Sequence, residues 1–188
     1  MYRRFFHLSG SLYPLLHVSG LLTWDQMRLL SWIGITVAAV LEYLRLGRGV
    51  VFFESLYRDY EKESIAGYVL AGVGLFLSVN LFPPSIGTAS MFMLTVADPI
   101  AGAVGTGELR RVKKPRVLVT AFCVSLVVSL RFVSPLVGAA GALGAALGDG
   151  VKLRLRGYVI DDNLTIPVYS GSVMTVVSQY FGSAPVIS

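Results

Sequence analysis

Charged residues are scarce in this chain of 188 residues, since Asp, Glu, Lys and Arg make up 14% of it. A soluble domain carries about 25% of such residues. Hydrophobic residues make up 54% of the chain, and the mean hydropathy is +0.68. This composition excludes an ordinary soluble globular protein. It predicts one all-α domain over residues 1–188, a polytopic helical bundle in a lipid bilayer.

Thiol and imidazole groups are also scarce. Cys123 is the single cysteine, which excludes an intramolecular disulfide, and the chain has 2 histidines. A zinc site normally uses clustered Cys and His ligands, so this class of site is not indicated. A metal site in this chain would therefore use oxygen ligands.

Apolar runs alternate with short polar segments along the whole chain. A helix needs about 20 apolar residues to cross a membrane. Seven runs are predicted as spans: Phe5–Leu22, Leu29–Leu41 (closed by a polar cap from Glu42 to Arg45), Ile65–Phe82, Ser85–Gly107, Val117–Leu130, Leu136–Leu147 and Leu164–Phe181. The fifth and sixth runs are predicted as a helical hairpin, with a re-entrant pair as the alternative.

The loop charges predict which side each loop faces. With the N-terminus inside, only Arg28 and Arg131 of the 16 Lys and Arg residues lie in outside loops. Positive charge accumulates in cytoplasmic loops of membrane proteins. The net charge of +5 is therefore assigned to cytoplasmic loops and not to nucleic-acid binding.

Asp98 is the first candidate site residue, because it lies within an apolar run. An ionisable side chain inside a membrane span is costly and indicates function by default. Pro99 follows directly, and glycines come next at Gly102, Gly105 and Gly107. These residues weaken a helix, so unwound backbone is expected at Asp98, packed against protein or water.

Further acidic residues are predicted on the same inside face. They are Asp149, between two glycines, and Asp161 and Asp162, which precede Asn163 and the last span. Magnesium is usually held by one or two carboxylates together with substrate phosphates. These acidic residues are therefore candidate Mg²⁺ ligands. For Asp149 and Asp161, the alternative is a side chain that only solvates a loop. This alternative fits Asp162 and Asn163 less well, because they lie directly against the last span.

A basic run follows the glycines and contains Arg111, Lys113 and Lys114. These side chains could bind nucleotide phosphates or anionic lipid head groups. The glycines match neither a P-loop nor a dinucleotide-binding fingerprint. Their exposed amides could still contact phosphate, and close helix packing is the alternative. The many small residues between 138 and 148 predict close packing of the sixth span.

Two motifs resemble the CTP-dependent polyprenol kinases, a family that includes dolichol kinase, phytol kinase and the yeast-type diacylglycerol kinase. The segment Ala97-Asp98-Pro99-Ile100-Ala101-Gly102-Ala103-Val104-Gly105 is similar to the family element Gly-Asp-x-x-Ala-x-x-x-Gly, with alanine in place of the first glycine. The segment Asp162-Asn163-Leu164-Thr165-Ile166-Pro167 is similar to the family's Asp-Asn element before the last span.

Weaker similarities lie elsewhere in the chain. Arg4 and His7 resemble a basic pair followed by His near the family's N-terminus, and Glu61 opens a segment that resembles its charged loop before the third span. Two departures are evident. Lys114-Pro115-Arg116 lacks the family's Lys-Ser-x-x-Gly, and Asp149 stands where glutamate is expected.

The resemblance implies a membrane-embedded, Mg²⁺-dependent lipid kinase. Such an enzyme transfers the terminal phosphoryl group of CTP to an isoprenoid alcohol at the cytoplasmic face of the cell membrane or the endoplasmic reticulum membrane. Asp98 and Asp162 would hold magnesium beside Asn163, and Arg111, Lys113 and Lys114 would neutralise phosphate oxygens. Asp161 or Asp149 would accept the hydroxyl proton.

Two rival functions are compatible with the same residues. A CTP:lipid-phosphate cytidylyltransferase would also use an aspartate–glycine element and Mg²⁺-bound CTP, but the Asp-Asn element argues against it. A small ion-coupled transporter would use Asp98 as its ion site, but the acidic residues cluster on one predicted side. The sequence does not identify the alcohol, and it is compatible with a homo-oligomer.

Overall fold

The computed structural model describes residues 8–50, 64–105, 112–151, 154–155, 158–159 and 161–181. Arg4, His7, Glu61, Gly107 and Arg111, which were predicted as site residues, lie outside the described residues. The helices are α1 (Leu12–Val18), α2 (Trp24–Arg48), α3 (Gly67–Leu81), α4 (Pro84–Phe92), α5 (Asp98–Val104), α6 (Pro115–Ser129), α7 (Pro135–Gly150) and α8 (Asp162–Phe181). The predicted all-α class is therefore correct at the level of the main elements.

Two short strands accompany the helices. β1 (Arg154–Leu155) pairs antiparallel with β2 (Tyr158–Val159) in the polar segment before α8. This segment lies between the sixth and seventh predicted spans.

The second helix is longer than the predicted span. A capping box between Thr23 and Gln26 begins α2, and Gly49 ends it in the left-handed conformation with φ of 66°. The predicted run from Leu29 to Leu41 and its polar cap from Glu42 to Arg45 lie within this helix, which extends further at both ends. Glu42 and Arg45 form a buried ion pair inside the helix.

The prediction of unwound backbone at Asp98 is also wrong. A π-helical segment, Met93–Ala97, joins α4 to α5, and the helical path continues through Asp98. The Asp98 amide donates to the Met93 carbonyl, five residues earlier. Proline lacks an N–H, and in an α-helix its ring clashes with the carbonyl four residues earlier. The wider π turn accommodates Pro99, and the chain remains helical through Pro99 to the end of α5.

Helices α6 and α7 form the predicted hairpin, and α7 packs closely on α8. A Cβ placed on Gly144 would lie 2.9 Å from the Tyr169 carbonyl oxygen, and one on Gly148 would lie 2.7 Å from the Thr165 carbonyl oxygen. Only glycine fits at both positions. The close packing predicted from the small residues of this helix is confirmed.

The largest apolar core lies among α3, α4, the π-helical segment, α7 and α8. Its most deeply buried members include Ile86, Met93, Leu94, Val137 and Met174. This core holds together the elements that carry the acidic residues of the candidate site.

Within the described residues, two helical stretches are long and apolar enough to cross a membrane. They are Trp24–Arg48 and Pro84–Val104, the second made of α4, the π-helical segment and α5. Helices α3 and α6 are apolar but shorter, with 15 residues each. The described part of the first predicted span is not one continuous helix, since a turn at Gly10 and Ser11 precedes α1 and α1 ends at Val18.

Candidate functional site

Three carboxylates that are distant in sequence converge at one point of the fold. Asp98, Asp149 and Asp162 each bring one oxygen atom within 4.8 Å of the other two. Asp98 lies in the first turn of α5, Asp149 at the end of α7, and Asp162 in the first turn of α8. The structure therefore brings together three of the acidic residues singled out from the sequence.

The contact between α7 and α8 positions two of these carboxylates. The hydroxyl of Thr165 donates to the Gly148 carbonyl over 2.6 Å. Gly148 precedes Asp149, and Thr165 lies one turn after Asp162. Because glycine allows the two backbones to approach, the end of one helix lies against the beginning of the other.

Lys113 supplies the positive charge of the cluster. Its amide donates to the Gly150 carbonyl over 3.1 Å, and Val112 forms a β-bridge with Val151. These backbone contacts hold the segment before α6 against the end of α7. The Lys113 ammonium group then contacts the carboxylates of Asp149 and of Asp162, the latter at 3.2 Å.

The electrostatic effect on Lys113 has two opposing causes. Burial of the side chain acts to lower the pKa of Lys113, whereas the neighbouring carboxylates of Asp162 and Asp149 act to raise it. The carboxylates dominate and hold the pKa above its usual value, so Lys113 is charged at neutral pH.

The residues of the cluster fit a magnesium ion by two observations. All three acidic ligands offer oxygen, which magnesium prefers. Asp149 is 1% exposed, and its Oδ2 atom has no hydrogen-bond partner in the part of the chain that the structure describes. A buried carboxylate oxygen without a partner is costly, and a bound cation would satisfy it.

Asp161 and Asn163 have structural partners beside the cluster. The Asp161 carboxylate accepts from the Asn163 amide over 2.9 Å, which is the contact of a helix N-cap at the start of α8. Asn163 is fully buried, and its Nδ2 atom donates to the Gly67 carbonyl over 3.0 Å. Asn163 thus links α8 to the first residue of α3.

The other predicted phosphate-binding residues that the structure describes are Gly102, Gly105 and Lys114. Gly102 lies within α5, where an added Cβ would meet no described atom within 4 Å. Gly105 ends α5, and its amide donates to the Gly102 carbonyl. Lys114 is the N-cap residue of α6 and is partly exposed.

Sequence reasoning missed a second polar network near this site. Glu42 and Arg45 form a buried ion pair that also bonds to residues 64–68. The available signal was the spacing of opposite charges three residues apart at the end of an apolar run. Such a spacing puts both side chains on one helix face.

The chain was compared with protein-family models, curated proteins and solved structures, and nothing in any of the three matched. The resemblance to polyprenol kinases consequently rests on the motifs in the sequence. The carboxylate cluster, in contrast, is observed in the structure and does not depend on that resemblance.

Proposed function

We propose that this protein is a membrane-embedded lipid kinase that transfers the terminal phosphoryl group of CTP to an isoprenoid alcohol such as a polyprenol. The observation that carries the proposal is the cluster of Asp98, Asp149 and Asp162 around Lys113. The kinase motifs contain two of these carboxylates. Their convergence supports the view that both motifs serve one site.

The cluster has the charge that a magnesium–nucleotide site needs. When all three carboxylates are ionised, the single Lys113 ammonium leaves an excess of negative charge. Asp98, Asp149 and Asp162 would hold Mg²⁺. The bound metal would neutralise charge on the phosphate oxygens during transfer.

Lys113 is the residue placed to act on the phosphates. Its ammonium lies among the carboxylates, with the side chain 22% exposed. When CTP binds, the Lys113 ammonium would donate hydrogen bonds to the phosphate oxygens in place of some of those that it donates to the carboxylates. Lys114 and Arg111 add positive charge along the same segment, as the resemblance implies.

The reaction balances without an oxidant or reductant. The alcohol oxygen forms a bond to the terminal phosphorus of CTP, the bond to the bridging oxygen breaks, and CDP leaves with the electron pair. The hydroxyl proton passes to a carboxylate beside the site. Phosphoryl transfer depends mostly on positioning and charge neutralisation, so a few well-placed charges suffice.

A bilayer location supports a lipid substrate. Besides the two long apolar stretches, α2 carries exposed apolar side chains that include Leu29, Trp32, Ile33, Val37 and Val40. Lipid tails would cover these groups. We place the protein as a bundle of about seven spans, with its acidic cluster at the cytoplasmic end, where CTP is available.

Two labels on CTP test the reaction. Purified protein is incubated with Mg²⁺, a panel of lipid alcohols and lipid phosphates, and CTP labelled either in the terminal phosphate or in the cytidine. A kinase moves the terminal phosphate label into lipid and releases CDP. Transfer of the cytidine label with release of pyrophosphate would establish a cytidylyltransferase instead.

A matched pair of variants gives this assay its control. Asp98→Asn removes a carboxylate of the cluster, whereas Asp25→Asn removes an exposed carboxylate at the start of α2. Lipid labelling is expected to fail only in the first. Absence of labelled lipid with every alcohol tested, from protein that is folded, would contradict the kinase and leave transport as the function to test.

A further inference from the structure

Glu42 and Arg45 form an ion pair in the interior of the protein. The Arg45 Nε and Nη2 atoms donate to the two carboxylate oxygens of Glu42 over 2.9 and 2.7 Å. The Glu42 side chain is 8% exposed and the Arg45 side chain is 6% exposed. Both charges lie in α2, one of the two stretches apolar enough to cross a membrane.

The same two side chains bind the segment that leads into α3. The Arg45 Nη2 atom donates to the Ser64 carbonyl over 2.5 Å. The Glu42 carboxylate accepts from the Ala66 amide over 2.8 Å and from the Tyr68 hydroxyl over 3.2 Å. Ala66 is the residue before α3, so a carboxylate lies at the positive end of that helix.

The start of α3 is in turn joined to the start of α8. The Gly67 carbonyl accepts from Asn163 Nδ2, and Asn163 follows Asp162 in the chain. A Cβ on Gly74 would collide with the Asn163 carbonyl oxygen and with the Pro167 ring. Helices α3 and α8 therefore pack in a fixed register, and this packing determines the position of the first turn of α8.

The cost of this network indicates a role beyond stability. Removing two charges from water costs free energy that their attraction often fails to recover, and an apolar pair is frequently as stable. A buried ion pair can instead select one geometry among several. Here the selected geometry is the position of the α3 start relative to Asp162.

We propose that Glu42 and Arg45 are positioning residues for the carboxylate cluster. They fix residues 64–67, and through Asn163 these residues fix Asp162 within reach of Asp98 and Asp149. The inference rests on the proposed function, because it assumes that the cluster binds a divalent cation. Neither side chain takes part in the chemistry.

The test measures cation binding directly and uses two variants. Glu42→Gln keeps an oxygen that can accept from the Ala66 amide but removes the charge. The double variant Glu42→Gln/Arg45→Met removes both charges, so that no unpaired buried charge prevents folding. Manganese(II) affinity is measured without nucleotide by electron paramagnetic resonance, per folded protein, with Mg²⁺ competition and thermal unfolding in parallel.

Helix α2 itself supplies the control. Asp25 and Arg28 have the same spacing as Glu42 and Arg45, with an Arg28 Nη1 to Asp25 Oδ1 distance of 3.0 Å, but they are exposed. They lie about 25 Å away along the helix, given its rise of 1.5 Å per residue. Asp25→Asn/Arg28→Met should leave manganese affinity unchanged.

Both Glu42 variants should bind manganese about tenfold more weakly than the wild type, the lower end of the effect of losing a group hydrogen-bonded to a metal ligand, because Glu42 acts on Asp162 only through residues 66–67 and Asn163. Normal affinity in the folded fraction, with only thermal stability reduced, would overturn the inference. A wild type that binds no manganese would overturn it together with the metal site of the proposed function. Manganese binding without phosphoryl transfer would refute the kinase alone, and the comparison of variants would still decide the inference.

Discussion

Asp98 is the residue on which the metal site depends most directly, because it belongs to a sequence motif and to the carboxylate cluster. We expect Asp98→Asn to lower turnover by at least about a hundredfold, since a catalytic metal contributes several kcal/mol of charge stabilisation. The fold should survive, because a neutral amide is less costly to bury than a carboxylate among like charges. Turnover and thermal unfolding are measured on the same preparation.

Ligand-dependent stability separates this role of Asp98 from a structural one. Mg²⁺ with CTP should raise the unfolding temperature of the wild type, because a ligand that binds only the native state stabilises it. The rise should disappear in Asp98→Asn. Near-normal turnover in well-folded Asp98→Asn would show that Asp98 is not a metal ligand.

Asp161 has a structural role that can be separated from catalysis at the same position. Asparagine caps a helix about as well as aspartate, whereas alanine costs about 1 kcal/mol. We therefore expect Asp161→Asn to keep both stability and turnover, and Asp161→Ala to lose about 1 kcal/mol of unfolding free energy. Chemical denaturation and phosphoryl-transfer rates measure the two effects. Loss of turnover in stable Asp161→Asn would instead identify Asp161 as the proton acceptor.

At the scale of helices, the contact between α7 and α8 controls the distance between Asp149 and Asp162. An alanine at Gly148 would place its Cβ 2.7 Å from the Thr165 carbonyl oxygen, so α8 must move. Overpacking of this kind costs about 1–3 kcal/mol. A displacement near 1 Å at a reacting site can lower the rate about a hundredfold. We expect Gly148→Ala to show both effects in denaturation and turnover measurements.

Gly72 provides the matched control for this prediction. It lies within α3, and a Cβ there would meet no atom of the described residues within 4 Å. Gly72→Ala should therefore raise stability by about 0.5–1 kcal/mol, as expected for glycine replaced in a helix interior, and leave turnover unchanged. Equal effects of the two substitutions would contradict the role given to the α7–α8 contact.

Helix positions were largely predictable because prolines and apolar runs mark them. Pro84, Pro115 and Pro135 each stand at the beginning of a helix, where a missing N–H has no cost. The end of α2 lies beyond the predicted polar cap. The helix continues past Glu42 and Arg45 and ends at Gly49, which adopts the left-handed conformation common after a helix. The pairing of Glu42 with Arg45 was not predicted from the sequence.

At the scale of the whole molecule, the arrangement in the membrane is the main prediction still to be measured. Val112 is exposed and precedes α6, while Arg131 is exposed and lies in the turn after it. In a Cys123→Ala background, we expect a cysteine at Val112 to react only from the cytoplasmic side and one at Arg131 only from outside. Accessibility to a membrane-impermeant thiol reagent is the measurement.

The length of α6 makes this experiment informative. A helix of 15 residues spans about 22 Å, whereas the hydrocarbon core is about 30 Å thick. Labelling of both cysteines from the cytoplasm would mean that α6 and α7 form a re-entrant pair. Labelling of Val112 from outside would contradict the shared cytoplasmic site altogether.

The site as a whole was only partly predictable from sequence. Asp98 and Asp162 were recognisable because they belong to motifs, and Asp149 because two glycines flank it. The convergence of the three depends on long-range packing, such as Gly148 against Thr165, which no local pattern encodes. The carboxylate contacts of Lys113 were likewise unpredictable, since they follow from the bridge between Val112 and Val151.

The π-helical segment before Asp98 lets the chain hold one residue more than a regular α-helix would need over the same path. Deleting Val96, with Pro99→Ala to remove the proline clash, should therefore give a regular helix of undiminished helicity by circular dichroism in which Asp98 still points at the cluster and manganese still binds. Inserting one alanine after Leu94 in the wild type should instead turn Asp98 by about 100° away from the cluster and abolish turnover and manganese binding. An active insertion variant would show that the cluster tolerates rotation of this helix, and evolution would then be free to gain residues here.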